Sequence, residues 1–422
     1  MGRATRTSRY LTARAWPVLI ALVSTAPAQA QFFVSTGDNL SYPVNLFPIN
    51  PAAPVLDFTG NVVSIGNSGA GSFVANNGGV LIADKLSIGN SGTGSGGVTV
   101  TGLGTQIILN GANSANNGNR LEVGNWGVGS LSVTGGAVVD ATQNAGGCSS
   151  AGVFCNSFIG NGAGSSGVLN IDGAGSKVST IGFTGIGTTA VFTLANDGFN
   201  FGTPGGITNG AVNVTAGARL NTQVTVVGGG PNTPSATGTE LGIGSVVVDG
   251  AGSRWVATRD TVANGNAWVG LGTGVGGQGT LIVRNGGQLT VDGTGGSSTA
   301  FDNLVVGVDG GHGNATVTGV GSNITVVGNN PIIQVGVRGQ GQLSVLAGAT
   351  ANATFINVGV GDGTPNSGTG SMTINGSGST VTLSGVGTPG SGASSAGFIT
   401  MGRLGGSGSL TVSGSSTQRT AS

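Results

Sequence analysis

The chain has 422 residues, of which 88 are glycine, 37% are hydrophobic, 5% aromatic and only 7% charged. Glycine without a strict every-third-residue register excludes collagen, and the many Val, Leu and Ile exclude low-complexity disorder. Lys and Glu together number four, too few for long amphipathic helices, while aliphatics alternate with Ser, Thr and Asn at the period of half-buried strands. The predicted class is therefore all-β.

Arg3, Arg6, Arg9 and Arg14 precede a short apolar stretch from Ala15 to Val23, and Ala28-Gln29-Ala30 supplies a small-x-small pattern. This reads as a signal peptide over residues 1–30, cleaved after Ala30. The apolar run falls well short of the ~20 residues that a single-pass anchor needs. Cleavage would leave ten basic against fourteen acidic residues, a net charge of −4. That balance predicts no nucleic-acid partner and no basic membrane-surface helix. Residues 31–61, with Pro43, Pro48, Pro51 and Pro54, stand outside the repeat region and read as an N-terminal leader or cap.

From residue 62 to 418 a unit recurs in which an aliphatic run ends in glycine and a second strand-like segment succeeds it. The anchoring glycines read from the pattern are Gly66, Gly89, Gly124, Gly160, Gly202, Gly242, Gly270, Gly307, Gly336, Gly359 and Gly402. They span 336 residues in ten steps, or 33.6 per step. A period of this length means stacked units that bury their apolar faces only against neighbours. After each anchor comes a polar turn and a strand with two inward aliphatics, as at Leu131/Val133, Leu169/Ile171, Leu281/Val283, Leu343/Val345 and Met372/Ile374.

Beyond the second aliphatic the turn takes two forms. One is compact, as in Val133-Thr-Gly-Gly136-Ala137 and Val214-Thr-Ala-Gly217-Ala218. The other is Gly-x-Gly-Ser/Thr, as in Gly102-Leu-Gly104-Thr105 and Gly173-Ala-Gly175-Ser176. The forms alternate through the first ten units, and the eleventh, at Val412-Ser-Gly414, belongs to neither. Glycine suits such corners because positive φ and close backbone approach cost it little. Three short strands and three corners per unit predict a parallel β-helix of about eleven coils. A propeller, the rival, needs four strands per blade.

The linking segments vary in length, from Val327 to Pro331 up to Asp140 to Ser157, Thr222 to Thr239 and Ser384 to Gly397. Such variation marks either a binding face or neutral insertion at a tolerant corner. Cys148 and Cys155, the only cysteines, lie in one of these segments. In an exported chain they read as a local disulfide; a zinc site would need further ligands, and the single histidine, His312, is remote.

Leu121-Glu-Val-Gly124 with Ser130-Leu-Ser-Val133, and Leu304-Val-Val-Gly307 with Val317-Thr-Gly-Val-Gly-Ser322, resemble the repeat shared by bacterial autotransporter (type V secretion) passengers and PEP-CTERM-sorted proteins. The resemblance implies a β-helical passenger exported through the periplasm and displayed at the cell surface or released. Its expected partners are a host, matrix or cell-surface glycan or protein, and an outer-membrane translocating barrel. Nothing after Gly402 has the alternating ~10-residue strands of such a barrel, and no Pro-Glu-Pro sorting signal is present. The end at residues 419–422 thus reads as a truncation, or as a passenger handled by another route.

Catalysis on a β-helix requires converging carboxylates, bases or calcium ligands. The nearest acidic set is Asp292, Asp302 and Asp309, with His312 close to the last; the competing reading is a solvated corner. Gly276-Gly-Gln-Gly-Thr-Leu281 carries Leu where a calcium-binding repeat needs Asp, and Gly270-Leu-Gly-Thr-Gly lacks the Lys-Ser/Thr of a phosphate loop. Arg254 beside Trp255, together with Trp126 and Trp268, offers sugar stacking or simple corner filling. No cofactor, metal or catalytic residue is assigned. The expected function is adhesion or matrix interaction by a non-catalytic passenger; the alternatives are a polysaccharide-processing β-helix enzyme and a structural stalk.

Overall fold

The computed structural model describes residues 33–37, 55–111, 120–143, 155–188, 192–195, 198–201, 206–230, 241–259, 267–295, 302–328, 330–364, 367–384, 397–414 and 418–421. Apart from Phe33–Gly37 and a separate antiparallel pair, Phe192–Ala195 with Gly198–Phe201, they form a parallel β-helix of three ladders. The first face runs from Val55–Ile65 to Phe398–Arg403, the second from Ala70–Ala75 to Ser407–Ser413, and the third ends at Gln418–Ala421. Every step between neighbouring coils is a parallel pairing, for example Leu131 beside Leu169 beside Val212 on the second face. At the N-terminal end the third and first faces run together, because Val80–Ile88 pairs with Gln106–Leu109 through its first half and with Leu121–Asn125 through its second. Phe33–Gly37 lies antiparallel along the edge of Ala70–Ala75. At ~4.8 Å per coil, the eleven anchor positions make a rod on the order of 50 Å long.

The alternation read from the sequence becomes one apolar column. Leu131, Val133, Leu169, Ile171, Leu281, Val283, Leu343, Val345 and Met372 are at most 1% exposed. Burial of each such side chain is worth roughly 1.5–3 kcal/mol, and the neighbouring coils supply it. On the last coil the equivalent Met401 and Val412 are 54% and 53% exposed, whereas one coil inward Val358 and Ile374 are 0% and 7% exposed.

The anchor glycines sit where the first face turns into the second. Gly66, Gly89, Gly124, Gly160, Gly307, Gly336, Gly359 and Gly402 all have φ between 66° and 75°. At all of these but Gly402, on the last coil, a Cβ would run into a backbone carbonyl of the next coil, that of Ser95 for Gly66 and of Gln340 for Gly307. Two of the predicted anchors, Gly242 and Gly270, are corrected. Register places Gly187, Gly228 and Gly272 in this row, with φ of 61°, 71° and 63°. Gly270 is an ordinary strand position whose face is covered by the Trp268 ring, and Gly242 belongs to the second face. Gly202 lies outside the described residues. Periodicity could not separate Gly270 from Gly272, because both follow an inward aliphatic; the coil above decides between them.

A second glycine row packs against the first; in the sequence it is the glycine two residues before the first inward aliphatic of each second-face strand. Gly129, Gly167, Gly210, Gly244, Gly279, Gly313 and Gly341 open the second-face strands, and a Cβ on any of them would strike the amide of an anchor glycine. Backbone thus meets backbone at this corner, with no room for a side chain on either strand.

The alternation of turn forms has a hydrogen-bonding cause. In the compact form two successive residues have positive φ, as at Asn77-Gly78, Gly135-Gly136, Ala216-Gly217, Asn285-Gly286 and Ala347-Gly348. The amide of the second donates to the Ser/Thr hydroxyl of the wider turn on the next coil. These bonds are Gly78 to Thr105 (3.0 Å), Gly136 to Ser176 (3.0 Å), Gly217 to Ser253 (2.9 Å), Gly286 to Ser322 (3.0 Å) and Gly348 to Ser379 (3.0 Å). The same hydroxyl donates to the carbonyl four residues back, as from Ser176 to Asp172 and from Ser253 to Asp249. The residue between the two glycines of the wide turn overlies the compact turn on its other side, Leu103 over Gly136 and Val320 over Gly348. Two compact turns in succession would leave an amide without its acceptor. The structural unit is therefore a pair of coils.

Ser176→Ala should lower the unfolding free energy by about 1–3 kcal/mol, the cost of a buried amide left without a partner. Ser176→Thr should be tolerated, since Thr105 fills the same role; urea titration of both variants checks this. Gly307→Ala should destabilise far more than Gly295→Ala, because both have positive φ but only Gly307 faces a carbonyl.

Candidate functional site

The acidic residues picked out by sequence do not converge. Asp292 ends a third-face strand and accepts the amide of Thr294 at 2.9 Å. Asp302 and Asp309 bracket the first-face strand Asp302–Val308, on the order of 20 Å apart at ~3.3 Å per residue. Asp309 pairs with Arg338 at 2.5 Å, and this contact is the first cause of the raised pKa of that guanidinium. His312 is exposed at the start of a second-face strand. Among the described residues no three His, Cys, Asp or Glu side chains gather where a metal ion could be held. Cys155 is buried and disulfide-bonded; Cys148 and Ala30 lie outside the described residues.

The tryptophans separate into different environments. Trp255 points inward and is fully buried, its indole donating to Thr222 Oγ1 at 3.0 Å. Trp268 points outward and packs on a small apolar cluster of Phe158, Phe183 and Val226. Trp126, 41% exposed at a φ of 67°, lays its ring over Gly162. Only Trp126 of these three offers much ring surface to a ligand.

The outer side of the first face carries a buried polar cluster that the repeat pattern gave no sign of. Glu122, 1% exposed, accepts hydrogen bonds from Ser87 at 3.0 Å and Asn125 at 2.8 Å, and pairs with Lys85 at 2.8 Å. Asn125, Asn90 and Asn67 continue it as a ladder of amides on successive coils. Arg120, also fully buried, donates to the carbonyls of Gly111, Ala141 and Gln143, closing the corner between the third and first faces. Desolvation draws its pKa down to about 10, against the pull of Asp140 and Asp84. Each charge here is held by its neighbours, which makes this cluster a fastening.

The third face is different. Lys177, Arg219 and Arg254 occupy the same outward position on three successive coils, in direct register. Gln288 and Asn323 extend the row over the next two. Lys177 is half-buried, and Arg219 and Arg254 are exposed. Among the described residues the ion pairs are Lys85–Glu122, Asp249–Arg284 and Asp309–Arg338, none of which involves this row. The acids at the adjoining turns are engaged elsewhere, Asp172 by Thr215 at 2.6 Å and Asp249 by Arg284 and Asn285 at 2.8 Å each. Asn221 fixes Arg219, accepting from its Nε at 2.6 Å while donating to Ser179 on the coil below at 3.0 Å. Like charges directly opposite one another on neighbouring strands are destabilising. In a chain with 7% charged residues, three stacked bases are a costly arrangement for the fold alone.

Compared with protein-family models and with characterised proteins, the chain matches none of them.

Asp140 lies one coil from Lys177. Burial raises its pKa, but hydrogen bonds from Thr142 and Gln143, helped by Lys177, bring it below the ordinary carboxylate value. The stabilisation is present above the unfolded value of about 4 and is lost as pH falls through the lowered folded value. Between pH 5 and pH 2 the wild-type melting temperature should therefore fall more steeply than that of Asp140→Asn.

Proposed function

We propose that this chain is an exported, non-catalytic β-helical passenger that works as an extracellular binding rod in adhesion or matrix interaction. Export rests on the signal-like residues 1–30, and the passenger assignment on the resemblance of the repeat. The observation that carries the binding role is the row of Lys177, Arg219 and Arg254, in register and in no ion pair among the described residues, on a face otherwise lined mainly by Ser, Thr, Asn and Gln. A flat sheet with one side chain per coil suits adhesion along an extended partner better than enclosure of a small substrate, which favours concave pockets.

Two measurements test this. Expressed with its leader in a Gram-negative host, the chain should be recovered outside the inner membrane as a form beginning at Gln31. Purified from Gln31 onward, it should be retained in a saturable way on intact cells or cell-derived matrix. Recovery only in the cytoplasm overturns export, and failure of retention on every such surface overturns the binding role.

A further inference from the structure

We infer that the third face binds a linear anionic polysaccharide, with Lys177, Arg219 and Arg254 each taking one acidic group of successive sugar units. The inference rests on the binding role proposed above and names its partner. Three observations lead to it. The bases recur once per coil, at ~4.8 Å, and a linear uronic-acid polymer carries one carboxylate on every sugar ring. The row continues into Gln288 and Asn323, amides that can donate to and accept from sugar hydroxyls while adding no charge. The guanidinium of Arg219 is held by Asn221 through Nε, leaving both Nη groups for a carboxylate.

The same features argue against other polyanions. Single-stranded nucleic acid is gripped by stacking on aromatic side chains as well as by charge. Among the described outward positions of the third face none is aromatic. An anionic membrane calls for a broad basic surface with apolar side chains to insert. Here the positive charge is a single file on a chain whose predicted mature charge is −4.

The test uses the chain from Gln31 onward and three sets of probes: polygalacturonate, its fully methyl-esterified form, and, as rival anions, oligo-dT and phosphatidylglycerol vesicles. Polygalacturonate should bind, the neutral ester should not, and added salt should weaken the complex. The triple variant Lys177→Gln/Arg219→Gln/Arg254→Gln should lose about tenfold or more in affinity. Arg403→Gln, on the last coil, should bind as wild type does, and far-ultraviolet circular dichroism should show all variants folded. Equal binding by the triple variant, or equal binding of the ester, overturns the inference. So does variant-sensitive binding confined to oligo-dT or vesicles. In each of those cases retention of the wild type on cells or matrix would leave the broader binding role standing. Release of unsaturated uronate ends from polygalacturonate would instead overturn the non-catalytic reading.

Discussion

The molecule depends on one close contact, repeated coil after coil: the glycine that ends a first-face strand lies directly against the backbone of the glycine that opens a second-face strand. Gly124 meets the Ser166–Gly167 peptide of the next coil, and Gly307 meets Gln340–Gly341. Removing side chains from both partners lets the chain turn sharply while keeping the strands at hydrogen-bonding distance from the coils above and below. The aliphatics at the two positions flanking this corner then fall into register automatically. The core is a consequence of the corner.

A second corner adds specificity. Hydrophobic stacking alone would tolerate any order of coils, since each presents much the same Val, Leu and Ile. The hydroxyls of Thr105, Ser176, Ser253, Ser322 and Ser379 make the order matter, because each accepts from an amide on the preceding coil, and those of Thr105, Ser176, Ser253 and Ser379 also donate to a carbonyl on their own. Register errors by one coil would place amides opposite no acceptor. A fold held by so uniform a core gains from such a device, because alternative stackings would otherwise differ little in energy.

The polar groups divide into those that close the structure and those that it leaves open. Glu122, Lys85 and Arg120 are sequestered, and their hydrogen bonds end within the protein. Lys177, Arg219 and Arg254 face outward with no ion-pair partner among the described residues. Parallel coils make such a row possible with very little sequence: a base at one position in three successive units becomes a line of charge along the rod. The same logic gives the second face its run of Ser, Thr and Asn, so each face of the prism can be written independently of the core.

Much of the fold was legible in the chain itself. The period, the inward aliphatics, the three strands per coil and the glycine corners come from local spacing, because in a solenoid each coil contacts only its neighbours and one repeat reports on all. The sequence could not choose Gly272 over Gly270, nor find Gly187 and Gly228, since that choice rests on which carbonyl of the next coil lies overhead. Nor did it show that Trp255 is interior while Arg254 beside it is exposed, or that Lys177, Arg219 and Arg254 form a row at all. Those bases are separated by linking segments of unequal length, so only the register between coils brings them into line.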